Sequence, residues 1–402
     1  MKEGKIKMGI EFNNEQIYAI YDGENWFHSA TKDQVFEISG PAGSGKTTLI
    51  LYFIERLGLD INEDVLFVAY MGKAANQMAL NGLPAKTIHS AIYRYEKEYV
   101  RDEKGKIVFD KKGKPKLRKV FVKKEKLDKD YKLIVLDEGS MVNQQIGEDL
   151  ESFGIPIVVL GDLNQLPPVF GKGRYLNHPN VVLTKIMRQA EGDPIVWLSQ
   201  QVLAGNDLKV GIYGKSAVMN RQDIQPYHFQ KSNIVITCTN RLRYNVNNYF
   251  RESIKKVGRL DYPHLGEKVV CRKNNWNKCI DHSFYLTNGT TGFVTNVERS
   301  SFDGKTMSID MRPDFSDKIF KNIKFDYKHL YEIPGQEEQE REWSKYVDRI
   351  EFGYALTVHT TQGSQYQKVL FLAEQMMRDK EEQKKLLYTG ITRAQTELNI
   401  AI

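Results

Sequence analysis

Residues 37–50, EISGPAGSGKTTLI, constrain the fold more than any other stretch of this 402-residue chain. Gly40 to Thr47 spell G-x-x-x-x-G-K-T. The apolar run VFEIS (35–39) precedes them and the helix-spaced TTLILYFIERL follows. Glycines in such a turn let successive backbone N–H groups point inward, and the helix aims its positive end at the same spot, so the loop is shaped for phosphate oxygens. Lys46 adds a cation for the β- and γ-phosphates, and Thr47 a hydroxyl for Mg2+. Gly40, Pro41, Ala42, Gly43, Ser44, Gly45, Lys46, Thr47 and Thr48 are the residues expected around a nucleoside triphosphate.

A strand–loop–helix start predicts a parallel sheet, and the downstream pattern agrees. DVLFVAY (64–70), KLIVLDE (132–138) and IPIVVLGD (155–162) are nearly continuous apolar runs separated by helical stretches, the mark of strands buried on both faces. Residues 1 to about 185 therefore read as a doubly wound α/β lobe, interrupted at 93–130. Between Arg101 and Asp130 stand thirteen Lys/Arg against six Asp/Glu, which equals the +7 net charge of the whole chain. A basic segment so concentrated suits a polyanion surface. Within it, Ile107–Phe109 and Val120–Val122 flank a Lys-Gly-Lys-Pro turn and predict a protruding hairpin that carries Phe109 and Phe121. A second α/β pattern begins with NIVITCTN (233–240). Short strands with Asn-Gly and Asp-Gly turns then predict a small antiparallel barrel. The charged helical stretch GQEEQEREWSKYVDRIEF leads back to KVLFLAE (368–374) and ELNIAI (397–402).

The carboxylates complete the phosphate chemistry. Asp137 and Glu138 end a strand, where they face the phosphate end of a parallel sheet. Asp137 suits a Mg2+ shell and Glu138 suits the deprotonation of an attacking water. Gln165, in GDLNQLPPV (161–169), can sense a γ-phosphate without adding charge. Arg188 in LTKIMRQ and Arg393 in YTGITRAQ can stabilise charge on a transferred phosphoryl group, an effect of ~10³–10⁵ in rate where arginines act as fingers. A kinase or GTPase also carries a phosphate loop, but it needs only one such lobe.

The ordered series FNNEQ, the phosphate loop, AYMGKAA, TIHS, LDEGSMV, GDLNQLPPV, IMRQ, YALTVHTTQGSQY and LLYTGITRAQ resembles superfamily 1 DNA helicases, specifically the RecD-like/Dda-like branch, superfamily 1B. The resemblance spans nearly the whole chain. It implies two RecA-like lobes, the first formed by 1–92 and 131–185 and the second by 186–263 and 346–402. The basic hairpin at 93–130 and a small β-barrel with a charged helical extension at 264–345 are the implied insertions. It implies ATP and Mg2+ as ligands, with Gln16 reading adenine and Gly363 bordering the nucleotide. Lys46, Thr47, Asp137, Glu138, Gln165, Arg188 and Arg393 would serve hydrolysis. Tyr70, Met71, His89, Pro167, Thr357, His359 and Gln362 would contact single-stranded DNA or couple it to the nucleotide, and Phe109 or Phe121 would form a wedge at a fork. The chain departs from its relatives at Tyr70-Met71, where members usually carry Pro-Thr and where a tyrosine can stack on a base. It departs again at Gln365, where many carry Glu, and at Thr360, where many carry Lys. The implied activity is 5′ to 3′ translocation with unwinding in replication, recombination or repair. The alternative is a translocase that displaces bound proteins without productive unwinding.

Bulk properties narrow the setting. No run reaches the ~18–20 apolar residues of a membrane-spanning helix, and MKEGKIKMGI is too polar for a leader, so a cytoplasmic protein is expected. Cys238, Cys271 and Cys279 lack metal-site spacing and read as reduced thiols. A monomeric motor, with single-strand-binding or replisome proteins as partners, is the expected assembly.

Overall fold

A computed structural model of the chain describes residues 11–29, 33–102, 105–109, 113–168, 171–186, 192–258, 262–280, 284–299, 306–335 and 347–402. The first lobe carries β1 (Val35–Ser39), β2 (Val65–Ala69), β3 (Lys86–Thr87), β4 (Tyr93–Tyr99), β5 (Leu117–Lys123), β6 (Leu133–Asp137), β7 (Ile157–Gly161) and β8 (Val181–Val182). Six of these form one sheet in the order β3-β2-β6-β7-β1-β8, with every pairing parallel. β2 and β7 are buried along their whole length. Their unbroken apolar runs are therefore what a sheet covered on both faces requires. The strands at 35–39, 65–69, 133–137 and 157–161 fall where the apolar runs place them.

β4 and β5 form a separate antiparallel ribbon with Tyr95 opposite Phe121 and Tyr99 opposite Leu117. The arms expected from the sequence are wrong in register. Val120 pairs with Glu96 and Val122 with Arg94, whereas Ile107 bridges Arg101 and Phe109 bridges Pro115. Val108 lies between Val100, to which its N–H donates, and Lys116, from which its carbonyl accepts. The reason is the alternation in Tyr93-Arg94-Tyr95-Glu96-Lys97-Glu98-Tyr99. Its period of two makes the longer first arm, although charged residues fill the alternate positions.

The second lobe begins with β9 (Gly211–Tyr213), β10 (Ser216–Met219) and β11 (Ile234–Thr237). An inserted group follows: β12 (Lys268–Cys271), β13 (Asn275–Ile280), β14 (Phe284–Leu286), β15 (Thr291–Arg299), β16 (Thr306–Pro313), β17 (Phe320–Asp326) and β18 (Ile350–Phe352). The lobe then resumes with β19 (Ala355–Thr357), β20 (Tyr366–Leu372) and β21 (Ala394–Ala401). Its sheet runs β19-β11-β20-β21-β10-β9, parallel except for the β9 edge. The inserted sheet is antiparallel, β17-β16-β15-β12-β18, and a bridge from Phe325 to Asp348 joins the region of its two edges. Because β18 pairs with β12, this sheet extends past residue 345, the boundary expected from sequence. The charged stretch 336–346 lies outside the described residues, and its continuation Ile350–Phe352 is strand rather than helix.

A buried ion pair ties the inserted sheet to the second lobe. Arg251 Nε donates to Glu267 Oε1 at 2.8 Å, and the guanidinium lies 4.1 Å from the Phe352 ring centroid. Among the described residues, no helix is long and apolar enough to cross a membrane.

Candidate functional site

The phosphate loop occupies the C-terminal end of β1 and turns into the helix Lys46–Arg56. Gly45 has φ +84°, and a Cβ there would meet Gln16 Nε2 at 2.6 Å, so both backbone and space demand glycine. Gln16 is itself fixed. Its Oε1 accepts from Asn13 N in the capping box of the helix Asn14–His28, and its Nε2 donates to Ser44 O at 2.9 Å. The amide expected to read adenine is thus engaged at both ends and braces the loop from behind. Lys46 Nζ donates to Gly40 O at 2.5 Å and Pro41 O at 3.0 Å, which holds the ammonium at the loop mouth.

A cleft of about 380 Å³ opens in front of Lys46. The first lobe lines it with Gly43, Thr47, Thr48, Asp137, Glu138 and Gln165, and the second with Gly363, Gln365 and Arg393. A larger cavity of about 760 Å³ lies between the second lobe and the inserted sheet, beside Lys268 and Tyr354, but no phosphate loop borders it. Chemistry therefore selects the smaller space.

β6 delivers the two carboxylates. Glu138 has φ 55° and ψ 42°, a left-handed conformation that costs a non-glycine residue about 1–2 kcal/mol and is typical of functional sites. That twist turns Glu138 away from the strand direction, while Asp137 Oδ1 accepts from Glu138 N at 2.9 Å. Burial raises the proton affinity of Asp137, opposed by Lys46. Glu138 is pushed up to about 7, first by burial and then by the Asp137 charge; Arg393 and Lys46 pull it down. A carboxyl poised there is suited to general-base work near neutral pH. Thr47 and Asp137 line one cleft with oxygen donors, a set that fits a hard divalent cation.

Arg393 comes from the far lobe and is almost wholly buried. Neutral oxygens orient it: Nε donates to Thr389 O at 3.0 Å, Nη1 to Ser364 O at 3.2 Å and Nη2 to Thr392 Oγ1 at 3.2 Å. Three further hydrogen bonds fasten the segment after β7 to the second lobe. Tyr388 donates to Asp162 Oδ2, Leu166 N donates to Thr389 Oγ1, and Gln362 Nε2 donates to Leu166 O. Between them Gln165 is buried, and its Oε1 has no protein partner. An orphaned acceptor beside Lys46 fits a site completed by a polar ligand. Asp162, Tyr388 and Thr389 escaped the sequence reading. They sit inside motifs already singled out, but only their meeting across the lobes gives them a role. Arg188 lies outside the described residues.

The expected strand contacts divide. Thr87 and Thr357 each end a strand and cap a short helical turn, Thr87 bonding Ser90 Oγ at 3.0 Å and Thr357 bonding Thr360 Oγ1 at 2.9 Å. His89 and His359 follow these caps by two residues, and burial lowers the proton affinity of both. His89 packs with Tyr70 at 5.9 Å and Phe121 at 5.4 Å between ring centroids. Phe121 lies 4.6 Å from Tyr95, so it belongs to an aromatic row along the ribbon rather than to its tip. Phe109 stands on the outer part and is 56% exposed. Pro167 is exposed. Met71 and Gln362 are less open to solvent. Gln362 is fully buried at the lobe junction, and Met71 packs against the core of the first lobe.

Comparison with known proteins agrees with this architecture. Residues 24–171 match the AAA domain family, and residues 352–401 match the UvrD-like helicase C-terminal domain. The chain is similar to the ATP-dependent RecD2 DNA helicase of Deinococcus radiodurans, 25% identical over 389 residues, with 89% of this chain and 45% of that protein covered. An uncharacterised protein of Methanocaldococcus jannaschii is 22% identical over 500 residues, covering 100% of this chain and 39% of that one. The chain thus spans less than half the length of both curated relatives. Among solved structures, Pif1 from Bacteroides bound to ssDNA superposes with a TM-score of 0.54 at 18% identity, covering 97% of this chain and 92% of that one. Pif1 helicase from Candida albicans gives 0.51 at 14% identity, covering 98% and 95%. The motif order, the paired α/β lobes and these matches agree in making the chain similar to the superfamily 1B helicases.

Proposed function

We propose that the protein is an ATP-dependent DNA helicase that translocates on single-stranded DNA, from 5′ to 3′, and opens duplex ahead of it. The observation that carries this reading is Arg393 of the second lobe in one cleft with Lys46, Asp137 and Glu138 of the first. A nucleotide completed by both lobes can change the distance between them, which a single-lobe kinase or GTPase has no means to do.

In the proposed cycle the loop N–H groups and Lys46 bind the triphosphate, and Gln165 with Arg393 contacts the γ-phosphate. Arg188 is assigned the second guanidinium. Glu138 takes a proton from the attacking water. Mg2+, held through Thr47 and Asp137, would neutralise developing phosphate charge. Closure brings Arg393 nearer Glu138 and favours its carboxylate form, so the base is strongest when both lobes grip the nucleotide. Thr87 with His89, and Thr357 with His359, line the strand track, where phosphate contacts hold DNA without reading sequence. The β4–β5 ribbon is read as the first-lobe insertion, whose aromatics stabilise an opened base pair. The inserted sheet is read as the small barrel. The fold shared with Pif1, a Bacteroides form of which is described in complex with ADP-AlF3 and ssDNA, supports the assignment.

Strand displacement on duplexes tailed only at the 5′ or only at the 3′ end tests the proposal, with Lys46→Ala as the inactive control. Displacement from the 5′ tail alone is expected. DNA-stimulated ATP hydrolysis without displacement would instead favour a translocase that removes bound proteins, and hydrolysis indifferent to DNA would overturn the motor reading.

A further inference from the structure

The helix Gly72–Leu80 of the first lobe borders the nucleotide cleft, yet none of the phosphate chemistry described above belongs to it. Ala74, Gln77 and the cap residue Asn81 line the space, at spacings of three and four that place them on one helix face. The start of this helix presses on the second lobe at two points. A Cβ on Gly363, whose φ is +70°, would lie 3.1 Å from Ala74 Cβ, so the turn before β20 sits directly against the helix. One residue earlier, Lys73 crosses the lobe boundary, and its Nζ donates to the Tyr366 hydroxyl at 3.0 Å. Tyr366 is buried and Lys73 half-buried, so the bond is partly shielded from water. A hydrogen bond with an ionised donor is roughly twice as strong as a neutral one.

Tyr366 is in turn part of the frame that holds Arg393. Its N–H donates to Arg393 O at 2.8 Å, and it stands opposite Ala394 where β20 joins β21. Ser364 O, two residues back, accepts from Arg393 Nη1 at 3.2 Å. Backbone and guanidinium of Arg393 are thus both tied to the segment 364–366. That segment is tied to the first lobe through Lys73. At the other end, Met71 caps the same helix and Tyr70 packs on His89, so the contacts run on to residues assigned to the strand track.

We propose that Lys73 is a positioning residue for Arg393. By holding the Tyr366 hydroxyl it sets the segment 364–366, and with it the guanidinium, in the place that hydrolysis requires. The inference rests on the role given to Arg393 under the proposed function. Lys73 does not itself line the cleft, so its loss should appear in turnover rather than in nucleotide affinity.

The test is steady-state ATP hydrolysis by the full chain at saturating oligothymidylate, for Lys73→Met, Tyr366→Phe and the two combined. Thermal midpoints measure folding, and Tyr366→Phe keeps the buried ring should Lys73→Met prove unstable. Each single variant should lower kcat about three- to tenfold, within what one charge-assisted hydrogen bond contributes, and leave KM for ATP within about twofold. The combined variant should lose no more than the weaker single one, because both changes break the same bond. Losses that multiply in the combined variant, an unchanged kcat in both single variants, or a raised KM with kcat retained each overturn this inference alone. Arg393→Ala separates it from the reading beneath it: undiminished hydrolysis in that variant overturns the role of Arg393 and this inference with it.

Discussion

Tyr388 and Asp162 belong to opposite lobes and are joined by a 2.7 Å hydrogen bond, with both side chains almost completely buried. Asp162 lies close enough to Glu138 to raise its proton affinity, and Tyr388 shares the helix Lys380–Ile391 with the approach to Arg393. One bond thus ties the helix leading to the arginine to the loop that presents Gln165. A hydrogen bond to a charged group contributes about 1.5–3 kcal/mol. Tyr388→Phe is therefore expected to lower kcat for ATP hydrolysis on single-stranded DNA by about tenfold or more, with DNA affinity little changed. Steady-state hydrolysis at saturating DNA checks it, and an unchanged kcat would refute the link.

Removal of the general base separates binding from turnover. Glu138→Gln keeps the side-chain volume and loses the carboxylate, so hydrolysis should fall by about 10²–10⁴ while nucleotide binding persists. Titration with a fluorescent ATP analogue beside a phosphate-release assay reads the two quantities. Equal loss of both would assign Glu138 to binding rather than chemistry.

The ribbon aromatics separate unwinding from the motor. Phe121→Ala breaks the row formed with Tyr95 and His89, and Phe109→Ala removes an exposed ring from the outer part. Base–aromatic stacking contributes ~1–3 kcal/mol. The double variant should lose strand displacement and keep DNA-stimulated hydrolysis. Retained displacement would remove the ribbon from the fork-opening role.

Stability should depend on the Arg251–Glu267 pair. Arg251→Ala leaves Glu267 buried beside a void, and breaking a buried pair from one side costs about 3–5 kcal/mol. Urea unfolding should show a correspondingly lower midpoint, or early loss of the inserted sheet and second lobe. A midpoint unchanged from that of the unmodified chain would show that the pair contributes nothing.

His359 gives a pH dependence of definite sign. Its folded-state proton affinity is depressed by burial, so the unfolded chain binds more protons below about pH 6.5, the ordinary histidine value. Its contribution is present above that pH and is lost as pH falls towards the folded-state value. His359→Asn should therefore reduce the difference in thermal midpoint between pH 7 and pH 5. A difference as large as that of the unmodified chain would contradict the assignment.

What the sequence determined by itself is local in origin. The phosphate loop follows from glycine spacing between a strand and a helix, and the buried strands at 65–69, 133–137, 157–161 and 234–237 follow from apolar runs too continuous for a one-sided sheet. Asp137 and Glu138 were legible because a strand end beside a phosphate loop leaves carboxylates few other uses. The register of the β4–β5 ribbon was not, since Tyr93 to Tyr99 and Leu117 to Lys123 pair across seventeen intervening residues in which shorter arms were also plausible. Only the tertiary structure decided that Glu138 is left-handed, that Gln16 braces the loop, that Gln362 is buried at the junction and that Arg272 reaches Thr360. Periodicity records which face of an element is buried. Which residues meet across two lobes depends on how those faces pack, and residues as far apart in the chain as Asp162 and Tyr388 carry no local mark of their meeting.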